Sequence, residues 1–200
     1  MPSPDVQIGV AALLELCAQR RAGVISAPYK EDPVQVTRML QAEAAGRELM
    51  AALVRPDPFP DLSVAATMRR LVGYLQTVLA ASTSDDQIAP MLTARVRHVS
   101  MSDKEAALLR EAAILLVLAA IDDDAQEIEV RLDPATHGAV LTVESDRQGV
   151  TAELPALRAL RDEIERSGGA WDVAHAPHGA SWMVVISMPM RLLEAVVQCD

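Results

Sequence analysis

Three consecutive carboxylates, Asp122-Asp123-Asp124, with Glu127 just beyond, form the most obvious run of hard oxygen donors in the chain. A divalent cation of that kind wants several oxygens converging from separated positions, whereas an acidic run after a helix is ordinarily a solvated loop, so no metal is expected there. Four histidines, His98, His137, His175 and His178, are the other candidate ligands or bases. His175 and His178 lie either side of Pro177 in a turn between strands, and a zinc site would need further ligands that are not near in sequence. Cys17 and Cys199 stand near opposite ends without CxxC spacing, so neither a disulfide scaffold nor a metal knuckle is indicated. Serine, histidine and aspartate all occur, but there is no G-x-S-x-G turn to expose a nucleophile. By residue type and spacing the chain names no catalytic group, no metal and no cofactor, and it leans away from being an enzyme.

The composition narrows the class further. A formal charge of −10 and a pI near 4.8, with basic residues scattered, argue against a phosphate-backbone partner, which would need clustered Lys and Arg. Half the residues are apolar, enough for a core, yet only five are aromatic (Tyr29, Phe59, Tyr74, Trp171, Trp182), so aliphatic side chains and Met must fill it. The longest apolar run, Ala112 to Ile121, is about half of the ~20 residues a bilayer span needs, and no leader pattern opens the sequence. A cytoplasmic protein in a reducing compartment is the expectation, with no membrane and no nucleic acid among its partners.

The elements that would position any site follow from periodicity. Residues 5–21 place Val6, Val10, Leu13, Leu14 and Cys17 on one helical stripe, ending in a basic pair. A second helix runs from Pro33, capped by Asp32, to Val54, with Val36, Met39, Leu40, Leu49, Met50 and Leu53 marking its buried side. The two form a helical hairpin that needs a partner to hide both stripes. Three prolines within residues 55–61 interrupt the chain there, which suggests a hairpin domain over 1–56 and a second domain over 61–200. The second part opens with a helix over 62–81 and a strand over 91–99 that includes His98. Next comes a helix that Ser102 and Glu105 start at capping-box spacing and that becomes apolar all round. Strands over 127–134 and 139–145 form a hairpin with a four-to-six-residue turn, one face wetted by Glu129, Arg131 and Asp133. A helix over 153–167 stops at Gly168-Gly169, two strands follow, and residues 191–198 form a short last helix. The order α, β, α, β, β, α, β, β predicts an α+β fold: a mixed sheet covered on one face by helices, a two-layer sandwich.

With a helical hairpin in front, this layout resembles the dimerisation and ATPase-like domains of bacterial sensor histidine kinases, and equally the histidine phosphotransferases of similar layout that relay phosphoryl groups without hydrolysing ATP. DVQIGVAALLELCAQRR resembles the apolar part of the kinase phosphoacceptor helix, and LREAAILLVLAAI the helix that carries ELVTNALKHA. EIEVRL and AVLTVESD resemble the strands before the D-x-G-x-G motif, and ALRALRDEIERSGGAWDVAHAPHGASWMVVISMP the closing helix–Gly-Gly–strand–strand segment. The resemblance implies a homodimer whose paired hairpins make a four-helix bundle, docking a response-regulator receiver domain or a histidine kinase.

The departures decide what it implies about chemistry. The family's phosphoacceptor histidine would fall at or before Met1, and His98, on a strand, is no substitute. The metal-holding asparagine corresponds to Leu115 and the following basic pair to Leu118 and Ala119. The adenine-reading aspartate corresponds to Ser145, with Asp146 one position on and Glu111 on the facing helix. Arg147 stands for a motif glycine, leaving Gly149, and the lid segment VTAELPAL has none of the glycines whose backbone would cradle phosphates. Scaffold without motifs implies a non-catalytic signalling protein that acts by binding. A phosphotransferase whose histidine lies upstream of Met1, and a scaffold or inhibitor that mimics a kinase hairpin, are the alternatives.

Overall fold

The computed structural model describes residues 11–12, 14–15, 18–19, 33–54, 63–83, 89–147, 155–175 and 182–189. Val6, Val10, Leu13, Cys17, the linker, Gly149 with most of the lid segment, His178 and the last helix lie outside the described residues, as do the side chains of Leu53 and His175. Among the described residues the helices α1 (Pro33–Val54), α2 (Val64–Ser82), α3 (Asp103–Asp122) and α4 (Pro155–Arg166) accompany five strands, with further helical residues within 11–19. These are β1 (Met91–Val96), β2 (Glu127–Ala135), β3 (Gly138–Ser145), β4 (Ala170–His175) and β5 (Trp182–Pro189). The strands form one mixed sheet in the order β1-β2-β3-β5-β4, parallel only between β1 and β2. Among the described residues no helix is long and apolar enough to cross a membrane.

The central helix is set by its first turn and its side chains. Ser102 Oγ accepts from Glu105 N (3.4 Å) and Glu105 Oε2 accepts from Ser102 N (3.0 Å), so both halves of the capping box form. At the other end Asp124 takes a left-handed φ of 58°, and Ala125 N donates to Ala120 O (3.0 Å). From Ala112 to Ala120 every side chain of α3 is buried, because sheet, α2 and α4 surround it. Each of its leucines contributes about 1.5–3 kcal/mol by leaving water.

Strand alternation assigns the two faces of the sheet as the sequence suggests. Ile128, Val130 and Leu132 of β2, Leu141 and Val143 of β3, and Val184, Ile186 and Met188 of β5 are buried under the helices. The opposite face carries a row of charges: Arg95 pairs with Glu129 (2.8 Å), Arg131 with Glu144 (2.7 Å), and Arg97 with Asp133 (3.2 Å). Such half-exposed pairs each contribute little, and they keep this face wet.

Three expectations are corrected. The β2–β3 connection is a two-residue turn, Thr136-His137, because pairing continues to Ala135 and Gly138. β1 ends at Val96, and the exposed His98 lies beyond it, since Val99 rather than His98 turns inward there. Leu40 is 49% exposed rather than buried. The stripe of α1 that meets α2 is Met39, Ala42, Ala45 and Leu49, spaced three and four apart, and this phase turns Leu40 outward. Val36 and Met50 are half-buried at its margins. Leu14, half-buried on the N-terminal helical stretch, rests on Gly46, where a Cβ would come within 1.9 Å of its Cδ2. Ala42, Ala45 and Leu49 of α1 belong to the same apolar cluster as the buried residues of α2, α3 and the sheet, so the core continues past the proline-rich linker.

Candidate functional site

The place to look for chemistry is the C-terminal end of β3, a strand that packs against α3 and leads into Ser145 and Asp146, which the resemblance assigns to the nucleotide site. β3 ends at Ser145, which keeps 1% of its surface and sits opposite Trp182 of β5 in the antiparallel register. Its Oγ accepts from Arg147 N (3.3 Å). Asp146 Oδ1 accepts from Gln126 N (2.9 Å), and Asp146 N donates to Glu127 O (3.2 Å), so this residue ties the end of β3 to the connection between α3 and β2. Arg147 Nε donates to Asp124 O (3.0 Å), tying β3 to the left-handed residue that ends α3.

The α3 side is apolar. Leu115 keeps 5% of its surface, and Leu118 and Ala119 are likewise buried, while Glu111, one turn nearer the N-terminus, is half-buried. Trp182, 1% exposed, puts the bulkiest side chain of this end next to Ser145, and its Nε1 finds no acceptor. At the positions that the resemblance assigns to the metal and the phosphates stand the buried Leu115, Leu118 and Ala119, and Ser145 Oγ and Asp146 Oδ1 each accept from a backbone N–H group.

The acidic run is placed at the end of α3. Asp122 and Asp123 both have carboxyl pKa values pushed up, in each case chiefly by burial and then by the next aspartate along the chain. Among the described residues no group of three or more His, Cys, Asp or Glu gathers to hold a metal ion. His98 and His137 are exposed on separate turns. Sequence reasoning passed over Gln126, took Trp182 only as one of the few aromatics, and weighed Asp124 only as part of an acidic run. The cue for Trp182 is a large aromatic opening the last strand in a chain poor in aromatics, whereas nothing local marks Gln126.

No protein-family model matches the sequence, and no curated protein matches it. Solved structures do match the fold. The histidine kinase domain of the blue-light-activated histidine kinase of Erythrobacter litoralis EL346 superposes with a TM-score of 0.50 at 13% identity, covering 93% of both chains. The longer kinase from the same source gives a TM-score of 0.50 at 12% identity, over 95% of this chain and 64% of that one. A bacterial phosphotransferase gives 0.51 at 10% identity, over 90% of this chain and 91% of the other. The chain has a histidine kinase-like fold.

Proposed function

We propose that this chain, built on a histidine kinase-like fold, is a signalling protein of a bacterial two-component pathway that works by binding another protein and not by ATP chemistry. What supports the reading is the set of side chains at the positions that the resemblance assigns to the nucleotide: Leu115, Leu118 and Ala119 are packed into the core, and Ser145 and Asp146 accept from backbone N–H groups of the chain itself. The capping, packing and sheet contacts of that scaffold are intact, so the fold serves as a frame for surfaces. The N-terminal helices are the docking element in this reading. Leu40 and Val34 point outward from α1, apolar side chains that a second copy or a receiver domain would cover. Two copies pairing these helices make a four-helix bundle, and the partner is a response-regulator receiver domain or a histidine kinase.

Calorimetric titration with magnesium-ATP tests the loss of nucleotide binding: no heat is expected up to millimolar nucleotide, and a micromolar dissociation constant would refute the reading. Light scattering tests the pairing, with a mass twice the 21.5 kDa of one chain expected and a single-chain mass excluding it. A second reading, a true phosphotransferase, draws on the likeness to the bacterial phosphotransferase. Incubation with a phosphorylated receiver domain, followed by acid-labile label on this chain, decides for it.

A further inference from the structure

The sheet has two edges, and the molecule treats them differently. Along β1 the outer backbone groups are occupied by α2. Gln76 donates through Nε2 to Pro90 O (3.3 Å) and accepts at Oε1 from Leu92 N (2.6 Å), while Arg69 donates to Val96 O. A strand covered in this way cannot take another beside it. β4 is the opposite edge; it bonds β5 on its inner side, and no described residue bonds its outer side. β4, AWDVAH, carries no lysine or proline to blunt the edge and a single carboxylate, Asp172, while Val173 is 43% exposed.

Beside this open edge lies a cleft of about 410 Å³ between α4 and β4, floored by Leu157, Trp171 and Val173. Its rim is charged. Arg161 and Glu165 are paired with each other at 2.8 Å, which leaves Arg158 and Asp162, one turn apart on α4, without an ion pair to a described residue. Four helical residues advance by about 6 Å, and two residues of an extended strand by about 6.6 Å. Side chains two apart on a strand laid in the cleft therefore match the spacing of Arg158 and Asp162.

We propose that β4 and this cleft bind an extended segment of a partner protein by strand addition. On its cleft side the segment presents, at alternate positions, an apolar side chain over Val173 and an acidic and a basic one opposite Arg158 and Asp162. Backbone bonds to the β4 edge supply affinity, and the cleft supplies selectivity. This surface is distinct from the N-terminal helices, so its failure would leave the hairpin reading untouched.

The test uses the full chain and a random octapeptide library displayed on phage, with Val173→Asp as the counter-selection. Enriched peptides are expected to show the apolar, acidic and basic alternation. A labelled synthetic copy should bind at least tenfold more weakly to Val173→Asp and to Arg158→Glu, and slow amide exchange along residues 170–175 of the wild type. Arg158→Glu changes an exposed side chain and leaves the fold in place, checked by circular dichroism, and a peptide with its acid replaced by lysine should restore binding to it. The proposal is overturned if no peptide is enriched or if both variants bind as the wild type does. It is equally overturned if binding requires deletion of residues 190–200, making the chain's own tail the occupant, or if Val173→Asp halves the solution mass, making a second copy the occupant.

Discussion

Leu115→Asn places an asparagine where the resemblance puts the kinase family's metal-holding residue, and the burial of Leu115 makes it a costly change. Leu115 keeps 5% of its surface and lies one turn from the buried Ala112 and Ala119, so its replacement forfeits most of the roughly 2–3 kcal/mol that burying a leucine contributes. The incoming amide enters a wall of aliphatic side chains and leaves its polar atoms without partners, adding about 1–3 kcal/mol. The loss is then about 4 kcal/mol, which for a chain of this length corresponds to a fall in Tm of about 8–16 °C. Urea titration followed by far-ultraviolet circular dichroism measures it. A loss below about 1 kcal/mol, or nucleotide binding acquired by the variant, would mean that this face of α3 opens onto a polar pocket.

Other perturbations test separate contacts. Ser102→Ala removes one half of the capping box that starts α3 and should cost about 1 kcal/mol in the same titration; no measurable change would show that the helix is held by packing alone. Gly46→Leu forces a side chain into the place where Leu14 rests and should cost about 2 kcal/mol of overpacking. Adding Leu14→Ala should recover most of that loss, and the absence of recovery would deny the contact. Asp123 carries a carboxyl whose pKa is raised above its ordinary 3.8, chiefly by burial. A group raised in the folded state favours folding when protonated, a contribution present below its unfolded pKa and lost as pH rises through the folded value. Asp123→Asn should therefore raise Tm at pH 7 and raise it much less near pH 3; an equal gain at both would remove charge as the cause.

The sequence by itself determined the elements and their inward faces, because these depend on spacing along the chain. Ser102 and Glu105 announced α3 at a three-residue offset, Ile128, Val130 and Leu132 alternated into the core as strand geometry requires, and Gly168 marked the end of α4 with its φ of +86°. The burial of Leu115, Leu118 and Ala119 was also legible, since the helix becomes apolar all round there. What lies across the chain was decided by the tertiary structure. Leu40 was read as buried, but the rotation of α1 is fixed by how Met39, Ala42, Ala45 and Leu49 meet α2, a contact no local pattern contains. The turn at Thr136-His137 tightened because pairing with β3 gave Pro134 and Ala135 partners. The sheet order β1-β2-β3-β5-β4 made β4 an edge, and only the position of α2 over β1 covered one edge and left the other open. Periodicity reports which side of an element is apolar; which neighbour it meets is settled by closing the whole core at once.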